Sequence, residues 1–267
     1  MHCAEGRKVS GNGLVFECFY DHFEEGAERR RWVSCAILLA PAGGSGTVQA
    51  RWQFLLLKHG LRALKLEEWP QMAKQKKWGA ETQKQLLIEF VDTIKHSSQF
   101  GICVSIAPEV WQQFLPDRKR QFGSPHEFCF LRSLRLALDR LETSALHEAG
   151  SFIFPRDLIS FDSTAHLIMR WFNTDSRASE YAKTIEFIDI DRSAQLQSSS
   201  LMARMAMRDF KARNQKRLDL SLAQMVLPQL PSFGVSEFWD QEYADRHGGG
   251  VEWDLPIPGK RRLRIKK

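Results

Sequence analysis

The chain of 267 residues lacks the short motifs that identify several common classes of enzyme. The glycine-rich segment Gly43-Gly44-Ser45-Gly46 has no Lys-Ser/Thr ending, so it is not a P-loop, and no GxGxxG dinucleotide fingerprint occurs. The GxSxG turn of α/β hydrolases and the HExxH pair of zinc proteases are also missing. The sequence therefore gives no support to these nucleotide-binding, serine hydrolase or zinc protease classes.

Cysteine is scarce, with five residues that are widely spaced and form no CxxC pair. This spacing supports neither a zinc knuckle nor a dithiol redox motif. Four of the five lie inside apolar runs, where free cysteine acts as a small hydrophobic residue: Cys18, Cys35, Cys103 and Cys129. We expect a reducing intracellular compartment and a cytoplasmic protein.

Long apolar runs are also absent, and none approaches the ~20 residues of a transmembrane helix. The first residues, MHCAEGRKVSGNG, contain no apolar core of a signal peptide. We therefore expect neither a membrane partner nor a leader. The composition, 43% hydrophobic and 26% charged, is ordinary for a globular protein, and the length suits one large α/β domain.

The positive net charge is concentrated at the C-terminus. The chain carries +6, and the segment GKRRLRIKK contributes six positive charges, so residues 1–259 sum to 6 − 6 = 0. These charges are Lys260, Arg261, Arg262, Arg264, Lys266 and Lys267. A basic tail attracts phosphate backbones and other acidic surfaces. The alternative is a solvated end that contacts nothing.

A second group of basic residues lies on the last predicted core helix. Arg204, Arg208 and Lys211 are spaced to share one helix face. This spacing predicts either a track for DNA or RNA, together with the tail, or an exposed helix face with no ligand.

Apolar spacing predicts alternating strands and helices. Strands are expected at 13–22, 32–40, 100–107, 151–154 and 184–188. Helices are expected at 47–64, 81–96, 108–115, 126–149, 162–173 and 196–213. Residues 65–80 are charged and are expected to form a loop. A leading β-hairpin followed by alternating elements predicts an α/β fold, with a mixed central sheet flanked by helices.

Composition divides the chain into four parts. Residues 1–12 are expected to be a flexible N-terminus, and 13–217 the α/β domain. Residues 218–259 form a turn-rich extension with Phe233, Phe238, Trp239 and Trp253, and 260–267 are the basic tail. The aromatic residues of the extension are expected to pack onto the domain, although they could instead anchor a protein partner.

Several segments resemble a bacterial and phage family known as domain of unknown function 3800. Phe19-Tyr20-Asp21-His22 corresponds to the Asp-Glu-Ser-Gly motif that ends the family's first strand, with the Asp kept and the Glu replaced. Phe187-Ile188-Asp189 corresponds to a late acidic strand. Leu196-Gln197-Ser198-Ser199-Ser200 corresponds to Leu-Gln-x-Ala-Asp, with Ser200 in place of the Asp. The resemblance covers roughly residues 13–217 and implies a ribonuclease H-like fold.

The resemblance implies a site in which carboxylates from distant segments hold two Mg²⁺ or Mn²⁺ ions and hydrolyse phosphodiester bonds. Asp21 is the expected first-strand acid, and Asp189 and Asp191 alternate on one extended segment. Asp157 or Glu67 could supply a further carboxylate. Asp21, Asp189 and Asp157 are thus the candidate catalytic residues, and Asp21, Asp189 and Asp191 the candidate metal ligands. The alternative for each is an acid at a strand end or turn.

Two functions follow from these residues. A complete site would make the chain a Mg- or Mn-dependent nuclease. Because Ser200 offers no charge to an ion, the sequence favours a degenerate, non-catalytic protein that binds nucleic acid or a protein partner. The resemblance adds a mobile-element or phage-defence setting as an expectation. The oligomeric state is left open by the sequence.

Overall fold

A six-stranded mixed sheet forms the centre of the protein in the computed structural model. The structure describes residues 16–26, 31–42, 45–96, 100–114, 119, 122–144, 150–160, 162–214 and 234–247. The basic tail, residues 1–15 and most of the extension, including Phe233 and Trp253, lie outside the described residues, and what the sequence indicates for them stays a prediction.

The strands are β1 (Phe16–Glu25), β2 (Trp32–Pro41), β3 (Phe100–Ile106), β4 (Gly150–Pro155), β5 (Ala182–Ile188) and β6 (Gly234–Trp239). Their order across the sheet is β5-β4-β1-β2-β3-β6. β2 runs antiparallel to β1 and β3, whereas β1 and β4, β4 and β5, and β3 and β6 pair in parallel. The carboxyl ends of the five parallel strands therefore meet at one rim of the sheet.

The helices are α1 (Ser45–Lys58), α2 (Trp69–Gln75), α3 (Ala80–Lys95), α4 (Pro108–Gln113), α5 (Pro125–Thr143), α6 (Asp162–Thr174), α7 (Ser176–Tyr181), α8 (Ala194–Asn214) and α9 (Gln241–His247). Short 3-10 turns occupy Arg156–Ser160 and Ile190–Arg192. The predicted α/β class with a mixed sheet flanked by helices is confirmed.

Each face of the sheet carries its own hydrophobic core. One core contains alternate residues of β1 and β2, such as Phe16 and Tyr20, packed against α5, α6 and α7. The other contains Phe19 and Leu38, packed against α1, α3 and α8. Because neighbouring strand residues point to opposite faces, Tyr20 and Asp21 face different cores. The central strand β2 is almost entirely buried, which matches its continuous apolar sequence.

Some predicted boundaries were wrong. Residues 65–80 contain helix α2, which begins with Pro70 in its first turn, where the missing N–H of proline costs no hydrogen bond. Strand β1 continues to Glu25 rather than ending at His22, because Glu24 pairs with Arg31 and Glu25 with Lys211. Acidic residues at this strand end are therefore compatible with sheet pairing.

The extension after the domain contributes more than turns. Residues 234–239 form β6, the edge strand beside β3, and Trp239 is buried against Phe128. Gly234 lies so close to the Gly101 carbonyl that a β-carbon at this position would overlap it. The expectation that Trp239 packs onto the domain is confirmed for this residue. The sequence pattern did not predict the strand.

Candidate functional site

Asp21 lies inside β1 and not at its end. It is opposite Ala36 of β2, and the residue is only 7% exposed. Its side chain points to the face covered by α8, where Phe19, two residues earlier, accepts a hydrogen bond from the Ser199 hydroxyl at 2.9 Å. The interpretation of Asp21 as a solvated acid before a turn is therefore wrong.

Three further polar residues act on Asp21, one by a hydrogen bond and two by their charge. The Ser200 hydroxyl hydrogen-bonds to its carboxylate, and the negative charges of Asp157 and Glu67 act on it. Asp157 follows β4 and Glu67 follows α1, so the group brings together four distant parts of the chain. Asp157 and Glu67 are exposed, whereas Ser200 is buried. We call Asp21, Glu67, Asp157 and Ser200 the Asp21 cluster.

Burial dominates the electrostatics of Asp21. Desolvation raises the pKa of its carboxyl to about 8, and repulsion by Asp157 and Glu67 adds to this effect. The hydrogen bonds from Ser200 and from the His22 backbone N–H, the latter at 2.7 Å, act in the opposite direction. At neutral pH the raised pKa therefore favours the uncharged, protonated form of the Asp21 carboxyl.

The segment that carries Glu67 is fixed to α8. Gln197 accepts hydrogen bonds from the Leu64 backbone N–H at 2.8 Å and from the Trp52 indole at 3.0 Å, and it donates to the Ile190 carbonyl at 3.1 Å. Gln197 thus joins the start of α8 to α1, to the segment after α1 and to the 3-10 turn before α8. Gln197 lies in the first turn of α8, and its side chain contacts other segments.

Asp189 and Asp191 do not share one extended face, because residues 190–192 form a 3-10 turn. Asp189 lies 3.5 Å from Arg156 and 3.4 Å from Arg192, and Asp191 lies 3.3 Å from Lys65. Both carboxylates are therefore paired with positively charged side chains. The charges of Asp157 and Glu67 thus act on Asp21, whereas Asp189 and Asp191 lie in separate ion pairs.

The arrangement does not fit a pair of divalent ions. Within the described ranges, no group of three or more His, Cys, Asp or Glu side chains is placed to hold a metal ion. Asp21 is buried and favours its protonated form, and Ser200 is neutral. The chemistry of this donor set therefore disagrees with the Mg²⁺ or Mn²⁺ site that the family resemblance implies.

Two of the three residues of α8 that were predicted to bind nucleic acid make contacts within the chain. Lys211 lies 2.9 Å from Glu25, and the Arg204 guanidinium donates to the Leu66 carbonyl. Arg208 is exposed. Lys260, Arg261, Arg262 and Arg264 lie outside the described residues. Among these predicted contacts, the structure presents Arg208 most openly to solvent.

A pair of histidines beside the cluster was not predicted. The rings of His22 and His126 are 4.3 Å apart, and the Tyr20 hydroxyl lies 2.9 Å from His126 Nε2. Burial lowers the pKa of both histidines. His22 stands in the first family motif in place of its Glu, but His126 belongs to none of the motifs, so nothing in the sequence paired the two.

Comparison of the chain with protein-family models, curated proteins and solved structures finds no match in any of the three. The resemblance described above therefore depends on its short motifs alone. In the part of the chain that the structure describes, no helix is long and apolar enough to cross a membrane.

Proposed function

We propose that this chain is a ribonuclease H-like protein that has no catalytic metal site and binds nucleic acid. The observation that carries this proposal is the state of the Asp21 cluster. Acids from distant segments, Asp157 and Glu67, act electrostatically on Asp21 beside α8, a pattern that is compatible with a ribonuclease H-like origin. Asp21 is nevertheless buried, and Ser200 supplies no charge. Such a site is poorly suited to two-metal hydrolysis.

The basic C-terminal segment supports nucleic acid as the ligand. It concentrates six positive charges in residues 260–267, while the rest of the chain is neutral overall. Contacts between cations and phosphates release counterions, so binding through this segment would weaken steeply with salt. Arg208, which is exposed near the end of α8, is a further candidate contact.

Binding is tested by fluorescence anisotropy with labelled single-stranded and duplex oligonucleotides in EDTA. We expect the chain of residues 1–259 to lose affinity at low salt and to show a shallower dependence of log K on log salt. Arg51→Met, which removes one exposed cation from α1, is the matched control and should change little. Equal affinities for the full and shortened chains would remove the tail from the proposal.

A nuclease is the second candidate, because the charges of Asp157 and Glu67 act on Asp21. The assay is cleavage of labelled DNA and RNA with millimolar Mg²⁺ or Mn²⁺. We expect no cleavage beyond that of Asp21→Asn. Metal-dependent cleavage that Asp21→Asn abolishes would establish the nuclease and overturn the non-catalytic proposal.

A protein partner is favoured by a different surface. On α1, Phe54 and Leu57 are 65% and 79% exposed and lie on the same helix face. Paired substitution by Ser should leave oligonucleotide affinity unchanged if nucleic acid is the ligand. A role for this face in assembly would be seen by analytical ultracentrifugation as a change in mass.

A further inference from the structure

Arg204 lies one helical turn after Ser200 on α8, so both side chains project from the same helix face. Its guanidinium donates to the Leu66 carbonyl at 2.5 Å, and its carbon atom Cζ lies 4.6 Å from the centre of the Phe23 ring. Phe23 is two residues after Asp21 on β1 and shares its face of the sheet. The guanidinium is therefore held between β1, α8 and the segment that carries Glu67.

This position places a permanent positive charge near Glu67. Glu67, whose backbone follows the Leu66 carbonyl directly, acts electrostatically on both Arg204 and Asp21. Burial lowers the pKa of Arg204, but an arginine side chain keeps its charge in proteins. The stacking on Phe23 and the bond to Leu66 replace part of the water that the guanidinium loses.

We propose that the Arg204 guanidinium is the built-in cation of the Asp21 cluster, which balances Glu67 and keeps the cluster independent of divalent metal. This inference depends on the proposed function, in which the site holds no catalytic ion. It also gives a second physical reason, besides the neutral Ser200, why the site would hold no catalytic ion. A fixed cation repels a divalent ion and disfavours its entry among the carboxylates.

A purely structural role for Arg204, as a tie between α8 and Leu66, makes different predictions. Arg204→Lys keeps the charge but loses the planar fork of donors. Arg204→Met keeps much of the length and loses the charge. Arg204→Gln also loses the charge but retains an N–H that can donate to the Leu66 carbonyl. All three variants weaken the contact between α8 and Leu66, but only Arg204→Met and Arg204→Gln remove the positive charge.

The experiment is Mn²⁺ titration, followed by the electron paramagnetic resonance of the free ion, together with the melting temperature at each concentration. We expect Arg204→Met and Arg204→Gln to bind Mn²⁺ at least about tenfold more tightly than the parent chain, equivalent to about 1.4 kcal/mol. Arg204→Lys should behave like the parent chain. Arg213→Met is the control, since Arg213 lies on the same helix and pairs with Asp209 instead.

The outcomes separate the inference from the proposed function. Unchanged Mn²⁺ affinity in folded Arg204→Met and Arg204→Gln overturns the inference and leaves the function standing. Tight Mn²⁺ binding by the parent chain overturns the proposed function and the inference together. If both uncharged variants fail to fold by circular dichroism, Mn²⁺ should restore their fold, and failure of that rescue would also overturn the inference.

Discussion

The Ser200 hydroxyl of α8 hydrogen-bonds to the buried Asp21 carboxylate of β1. The contact forms because the Ser199 hydroxyl of the same helix bonds to the Phe19 carbonyl at 2.9 Å, which holds α8 against β1. A helix that follows β5 thus reaches the first strand of the chain, although β4 lies between β5 and β1 in the sheet. Because Asp21 is held in this buried contact, the protonation state of its carboxyl is the property of the site to measure first.

The pH dependence of stability should report that state. Burial raises the pKa of Asp21 from 3.8 to about 8, so between these values the folded chain binds a proton that the unfolded chain releases. The contribution of Asp21 to the free energy of unfolding is therefore greatest at low pH. It decreases as pH rises toward about 8, by at most about 1.4 kcal/mol per pH unit. Asp21→Asn mimics the protonated form and should flatten this decline.

Urea unfolding of the parent chain and of Asp21→Asn at pH 5, 6, 7 and 8 measures the effect. The stability advantage of the variant should grow with pH over this range. Asp157→Asn is the control, because that residue is exposed and should have a smaller effect. A parallel decline for the parent chain and Asp21→Asn would show that Asp21 is already ionised near neutral pH.

A carboxylate at position 200 should change the response of the protein to metal. Ser200→Asp places a second acid beside Asp21, and like charges in a buried site destabilise the fold. Divalent ions would relieve this repulsion, so we expect a lower melting temperature in EDTA that rises with millimolar Mn²⁺. Scanning fluorimetry with and without Mn²⁺ measures both effects. Ser200→Asn, of similar size and neutral, should show no Mn²⁺ response.

Much of the fold could be predicted from the sequence. The uninterrupted apolar run of β2 and the amphipathic spacing of α3 each predict an element of the correct type and nearly the correct bounds. β6 could not be predicted, because Gly234–Trp239 becomes a strand through its pairing with β3 and the burial of Trp239, which are distant contacts. Helix α2 was missed because it has only seven residues, one of them a proline, within a charged segment.

The site was predictable only in part. Asp21 was identified from a motif, and Glu67 and Asp157 were among the alternatives for its partners. Asp189 pairs with cations and does not act on Asp21, because of the 3-10 turn at residues 190–192 and the arginines around it. No local sequence pattern indicates this turn or these ion pairs. The position of Arg204 beside Glu67 likewise depends on the bond to the Leu66 carbonyl, a contact between remote segments.

Gln197 should be a major determinant of stability. Replacement by Leu removes its bonds to Trp52, Leu64 and Ile190 and leaves buried polar groups without partners. An unsatisfied buried group costs about 1 to 3 kcal/mol, so we expect a loss of about 3 kcal/mol or more in urea unfolding. Gln53→Leu, at an exposed position of α1, should change stability little. A comparable loss in both variants would contradict this assignment.

Edge strand β6 should depend on a buried ion pair with α5. Arg132 donates to Glu237 through two nitrogens, at 2.8 and 2.6 Å, and the Trp239 indole lies 3.3 Å from the same carboxylate. Glu237→Gln removes the carboxylate charge that accepts both hydrogen bonds from the Arg132 guanidinium. Breaking a fully buried pair costs about 3 to 5 kcal/mol, and we expect less here because Arg132 is not fully buried. Since β6 pairs only with β3 among the described strands, we expect the loss to appear as local opening.

Hydrogen exchange of the β6 amides distinguishes local from global opening. In Glu237→Gln these amides should exchange faster than those of β2, which is central and buried. Glu242→Gln removes the partner of Arg246 in an exposed pair on α9 and should leave the exchange unchanged, since exposed pairs contribute little. Addition of Arg132→Met to Glu237→Gln should recover part of the loss, because the guanidinium charge that Glu237 balanced is then gone. Equal acceleration of β2 and β6 would mean that the pair stabilises the whole domain and not the edge strand.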